Sequence, residues 1–197
     1  TYTNSTYLAE AILYQAEARI ELSNYAGAIE LLSAHLGAAG TNADQYVFWL
    51  AEAQFRKGDY PAARDAFAKL VKESPASSRR LEAGLGEATA RMKLRDWAGV
   101  VAVLQQADGV FQSAVRSNIT NELVSCGHLI LTEAKLAQKD YPAAEAALKP
   151  LAGLQLSPAR AWQRQYLLCR ILLAQGQTEA ALLNTTKPRW LAAAQAA

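Results

Sequence analysis

The chain has 197 residues, 51% of them hydrophobic, which is enough for one large domain or two small ones and excludes a disordered tail. Twenty Lys and Arg stand against 18 Asp and Glu, a formal charge of +2 that argues against a strongly electrostatic nucleic-acid binder. No apolar run approaches the ~18–20 residues of a membrane span, and Cys126 and Cys169 form neither a disulfide framework nor, with His35 and His128, a zinc-ligand spacing.

Alanine, the strongest helix former, supplies 41 residues, and the prolines and glycines fall mostly between apolar stretches, so the expectation is an all-helical protein. One pattern recurs along it: a small residue, a turn pair, an aromatic, and a second small residue. The first copy runs from Ala18 through Tyr25 to Ala28, and the second from Ala53 through Gly58, Asp59 and Tyr60 to Ala63. The third runs from Ala90 through Asp96 and Trp97 to Val100, and the fourth from Ala134 through Asp140 and Tyr141 to Ala144. A weaker fifth runs from Ile171 to Ala181, with Thr178 in the aromatic place. The anchors at 25, 60, 97, 141 and 178 are spaced in the mid-thirties apart from one longer step, the signature of a helix–turn–helix solenoid.

The second copy shows the local logic. From about Asp44 to Lys57, the apolar positions Val47, Phe48, Leu50, Ala51 and Phe55 alternate with polar ones at a helical period. Gly58-Asp59 stops that helix, Asp59 is placed to cap the next, and Pro61 sits in a first turn, where its missing N–H costs nothing. The second helix runs from about Ala62 to Lys72, and Ser74-Pro75 ends it. Small residues hold one place in each first helix (Ala16, Ala51, Ala88, Thr132, Cys169) and one in each second helix (Ala28, Ala63, Val100, Ala144, Ala181). Such residues let paired helices approach at the short end of the ~8–10 Å range.

These residues resemble the tetratricopeptide repeat, most closely over Phe48-Trp-Leu-Ala-Glu-Ala-Gln-Phe-Arg-Lys-Gly-Asp-Tyr-Pro-Ala-Ala and on to Pro75. The resemblance covers roughly 8–186. It implies an all-α fold, a right-handed α-α superhelix of about five helix pairs in a single solenoid domain spanning 1–197. The repeats fall at about 9–42, 44–77, 81–118, 119–156 and 158–186, with 187–197 as an extra or capping helix. The step of 44 between the third and fourth anchors marks an insert around 108–118, read as a longer second helix or an extra turn after Gly109. The apolar run from Trp190 is a candidate for self-association, and the lack of an initial Met reads as a piece of a longer protein.

The resemblance also implies a concave groove lined by the first helices, in which an extended protein or peptide partner binds. Carried over through the repeats, the candidate partner-binding residues are Leu13 and Glu17; Phe48, Glu52 and Phe55; Leu85 and Met92; Leu129 and Glu133; and Tyr166 and Arg170. The Lys and Asn with which chaperone-type members hold a terminal carboxylate are missing: Leu13, Glu17, Phe48, Glu52, Leu85 and Thr89 stand in those places. The groove mixes apolar anchors with Glu17, Glu52 and Glu133, which suits a segment carrying apolar side chains and some positive charge. The competing reading makes several of the apolar residues simple core.

Catalytic motifs are missing. The chain has no phosphate loop, no Gly-x-Ser-x-Gly elbow and no His-Glu-x-x-His pair. Gly84-Leu-Gly86 lies in a helix and reads as close packing. Cys126 and His128, two residues apart, face different sides of a helix and would not share a metal. Cys169 reads as an inert packed thiol, and Cys126 has no basic neighbour in sequence to activate it. No cofactor or metal is expected. The sequence therefore predicts a non-enzymatic protein-interaction scaffold with no nucleic acid and no direct membrane insertion. The alternative is the non-catalytic repeat domain of a larger enzyme or signalling protein. The Tyr-Pro turns are similar to those of bacterial cell-envelope repeat proteins, which favours a periplasmic or envelope location.

Overall fold

Five turns of one design organise the chain. At Ser23, Gly58, Arg95, Lys139 and Gly176 the backbone enters the left-handed region, with φ between 59° and 92°. There the chain leaves one helix and is re-aimed into the next. The following residue returns its N–H to the carbonyl of the closing helix, as Asn24 does to Arg19, Asp59 to Gln54 and Asp140 to Lys135. That same residue then caps the next helix. Asn24, Asp59, Asp96 and Asp140 accept from the N–H of Gly27, Ala62, Gly99 and Ala143. Asp59 thus takes the capping role its position predicts, and Pro61 and Pro142 lie in first turns.

The computed structural model describes residues 6–185. Its α-helices are α1 (Thr6–Glu21), α2 (Tyr25–His35), α3 (Ala43–Lys57), α4 (Tyr60–Glu73), α5 (Arg80–Lys93), α6 (Trp97–Gln105), α7 (Val110–Ser117), α8 (Glu122–Ala137), α9 (Tyr141–Leu148), α10 (Pro158–Ala174) and α11 (Thr178–Thr185). Among the described residues there is no strand, and no helix is long and apolar enough to cross a membrane. The apolar run from Trp190 and the expected helix at 187–197 lie outside them.

The chain divides into two compact units, 1–95 and 96–197. The division falls at the Arg95/Asp96 turn, inside the third predicted repeat. In the first unit α1 packs on α2, α2 on α3, α3 on α4 and α4 on α5. Three apolar clusters hold it. Ile12, Leu13 and Leu32 gather around Tyr46, Ile20 packs with Ala28 and Ala53, and Phe48, Phe67 and Leu70 close the third. Tyr46 also ties α3 to α1 by donating to the carbonyl of Ala9 at 3.0 Å. In the second unit α8 packs on α9, α10 on both, and α11 on α10. Leu129, Leu148, Leu151, Leu167 and Ile171 form its core. Each such side chain contributes ~1.5–3 kcal/mol when fully buried.

The small residues behave as their repetition predicts. Ala16, Ala28, Ala51, Ala63, Ala88, Val100, Thr132 and Ala144 are fully buried. Cys169 is half-buried, its thiol directed at the carbonyl of Ala181.

The insert departs from one of its two readings, because it does not lengthen α6. Gln106 turns extended, with ψ of 119°, and a separate eight-residue helix, α7, begins after Gly109. The physical reason is Phe111, which is buried against Gly127 of α8, a position that a continuous α6 would not supply.

Candidate functional site

In the first unit the candidate residues come from α1, α3 and α5. Positions 13, 17 and 20 of α1 and 48, 52 and 55 of α3 share helix faces by their spacing of three and four. Leu13, Phe48 and Leu85 are buried, with Phe48 only 5% exposed. Leu13 belongs to the cluster around Tyr46, and Phe48 stands edge-on to Phe67 at 6.0 Å and to Trp49 at 5.6 Å. These side chains are core walls, and what a partner could touch is the polar layer above them. Phe55 is half-buried and leans edge-on against Tyr60 at 5.3 Å, and Met92 is half-buried.

That polar layer is acidic and ordered. Arg56 bridges two helices, reaching Glu21 of α1 at 3.3 Å and Glu52 of its own helix at 3.6 Å. Burial pushes the Glu52 carboxyl above its ordinary pKa. Arg56 pulls it down by charge and hydrogen bond, Glu82 pushes it further up, and Arg79 opposes. Glu17 is half-buried on α1.

Sequence reasoning missed Arg79. Its guanidinium lies 4.9 Å from the Phe48 ring centre and 5.7 Å from that of Trp49. It also pairs with Glu82 at 2.8 Å and donates to Gln45 at 3.4 Å. Arg79 therefore roofs the aromatic wall and explains why Phe48 is covered. A signal existed: two arginines at a helix N-terminus oppose the helix dipole, so both need employment elsewhere. Arg80 finds it at the carbonyl of Val71, at 3.0 Å. Glu87 was missed as well. It is buried, and its Oε1 accepts from Nε and Nη2 of Arg91, one turn on.

In the second unit the candidates lie on α8 and α10. Leu129 is fully buried in the core, and Glu133 is half-buried. Cys126 has the basic neighbour that sequence did not reveal, because the charge of Arg160 on α10 acts on its thiol and favours the thiolate. Even so, burial dominates and pushes the thiol up, with Glu133 and Glu122 adding to it, so the group stays protonated at neutral pH. His128 is buried edge-on to Phe111 at 5.3 Å, and burial holds its pKa below the ordinary imidazole value against a backbone contact at Ala147. Among the described residues no three His, Cys, Asp or Glu side chains gather as a metal site.

The exposed candidates are on α10. Tyr166 is 46% exposed and Trp162, one turn before it, 47%. Their rings are parallel within 2° and 5.5 Å apart. The Arg170 guanidinium, one turn on, lies 5.5 Å from the Tyr166 ring centre. Leu173 extends the stripe and is also exposed. Trp162 was not singled out from sequence, although its spacing of four from Tyr166 puts it on the same face.

The family model for the tetratricopeptide repeat matches residues 45–77, which hold most of α3 and all of α4. The fold is similar to that of a thermophilic TPR protein from Thermus thermophilus, with a TM-score of 0.61 and 22% identity. That match covers 95% of this chain and 92% of the other. Comparison with curated proteins finds no match.

Proposed function

We propose that this tetratricopeptide-repeat protein is a non-enzymatic protein-interaction scaffold that holds a partner segment along the solvent-facing sides of its first helices. The α10 stripe is the observation that carries the reading. Two large aromatic rings and a leucine stay exposed on a helix whose opposite side is core, and solvent contact for that much apolar surface is costly. Aromatic and Arg side chains are also the types that dominate binding energy. On the first-helix face of the first unit, Glu10, Glu17, Glu21, Glu52 and Glu82 outnumber Arg56, Arg79 and Lys93, so that face favours a segment with positive charge. Location in a bacterial cell envelope is part of the same proposal.

The test is site-specific photo-cross-linking in cells of the source organism. A photoreactive residue at position 166 should give a discrete protein adduct, and one at the exposed Lys69 of α4 should not. Equal adducts from both positions, or none from either, would remove the first-helix face from the account.

A further inference from the structure

A concave surface lies on α10 away from the aromatic stripe. A cleft of about 470 Å³ opens between α9 and α10, with Leu148, Ala146 and Leu168 as apolar wall and Arg164, Lys149 and Glu145 as its charged groups. Its volume is within the ~300–1,000 Å³ of small-ligand sites. At ~100° per residue, Arg164 stands about 200° round the helix from Trp162, so the cleft and the aromatic stripe are separate surfaces.

Arg164 is the informative residue. Its Nε is buried and has no hydrogen-bond partner. Among the described residues no carboxylate pairs with it or with Lys149. Burial lowers its pKa below the ordinary guanidinium value, yet arginine remains cationic at neutral pH. A half-buried cation whose Nε donor is buried and unfilled is costly unless an acceptor completes it. The planar fork of guanidinium matches a carboxylate in two parallel bonds. Two cations against Glu145 leave the cleft one positive charge, which suits a monoanion better than a phosphate dianion. The apolar wall beside the fork asks for an aliphatic group next to that charge.

We propose that this cleft binds an apolar monocarboxylate, with Arg164 on the carboxylate and Leu148 and Leu168 against its aliphatic part. The site is independent of the first-helix face, and either can fail without the other. A free carboxylic acid and the C-terminal residue of a peptide share this chemistry.

The experiment is a methyl NMR titration of the whole chain, read at Leu148 and Leu168. The probes are N-acetyl-leucine, N-acetyl-leucinamide, inorganic phosphate and an acetylated tetraglycine ending in leucine. N-acetyl-leucine should shift both methyl sets with saturation in the millimolar range, while the amide and phosphate should bind at least about tenfold more weakly. Arg164→Gln should weaken N-acetyl-leucine at least about tenfold. Ala146→Glu, an exposed position that adds a carboxylate to the cleft, should do the same while Leu129 and Ile171 keep their native shifts. Tighter binding of the pentapeptide assigns the site to a peptide terminus, and equal binding assigns it to a free acid. Equal affinity for amide and acid, tighter binding of phosphate, or no saturable shift would overturn the proposal. So would Ala146→Glu binding as wild type does.

Discussion

Replacing Gly127 by alanine tests how the inserted helix is held. An alanine Cβ there would fall 2.1 Å from Cε2 of Phe111, 2.6 Å from Cδ2 and 2.7 Å from Cζ. Carbon contacts prefer ~3.5–4.0 Å, so the ring must retreat by roughly 1.5 Å. Phe111 is fully packed, with His128 at 5.3 Å, and it anchors α7, an eight-residue helix. Overpacking of this kind costs ~1–3 kcal/mol, and outright loss of a buried aromatic ring sets a ceiling near ~3–5 kcal/mol. Against that, alanine is favoured over glycine in a helix by ~1 kcal/mol. The expected net loss in urea unfolding followed by circular dichroism is therefore ~0–2 kcal/mol, with a ceiling near ~2–4 kcal/mol if the ring is displaced outright. In a Phe111→Ala background the clash is gone and only the helix preference remains, so the same substitution should stabilise by about 1 kcal/mol. Gly127→Ala that stabilises equally in both backgrounds would refute the packing argument.

Other outcomes follow from the turns and the buried charges. Lys139→Gly should raise stability by ~1 kcal/mol, because an L-residue pays ~1–2 kcal/mol in the left-handed region, and Gly58→Ala should lower it by a similar amount in the same assay. Gly86→Ala should also destabilise, since its Cβ would meet the Phe67 ring at 2.7 Å. Glu52 has a raised pKa in the folded state, so its charge weakens folding as pH rises through that value. Glu52→Gln should therefore gain on wild type from acid to neutral pH, and a variant that loses ground over that range would contradict the assigned burial. His128 has a lowered folded pKa, so wild-type stability is full above ~6.5 and falls as pH drops towards the folded value. His128→Leu should flatten that part of the stability profile.

The repeats were legible because they are local. A left-handed turn, a capping Asp and a Pro in the next first turn occupy four consecutive residues, and Gly58-Asp59-Tyr60-Pro61 announces them directly. The small buried residues were legible because repetition at fixed places singles them out. Gly86 read as close packing and does face the Phe67 ring, whereas Gly127 gave no warning because its partner, Phe111, sits in the unrepeated insert. The candidate face was harder to read. Repeat alignment locates a position on a helix but does not say what covers it. Arg79, from the preceding loop, roofs Phe48, and Leu129 faces its own unit's core, so both are withdrawn from solvent while Tyr166, at the corresponding place on α10, is open. The α9–α10 cleft was invisible in sequence, because Lys149 and Arg164 are joined only by packing.

The scaffold reading is tested most directly by affinity capture with wild type beside a Glu52→Lys/Tyr166→Ala double variant, using extracts of the source organism and mass spectrometry. Tyr166 is preferred to Phe55, which packs against Tyr60 and would confound folding with binding. The account predicts a protein retained by wild type and lost by a variant that keeps the wild-type helicity at the assay temperature. The same set of proteins captured by both would contradict it.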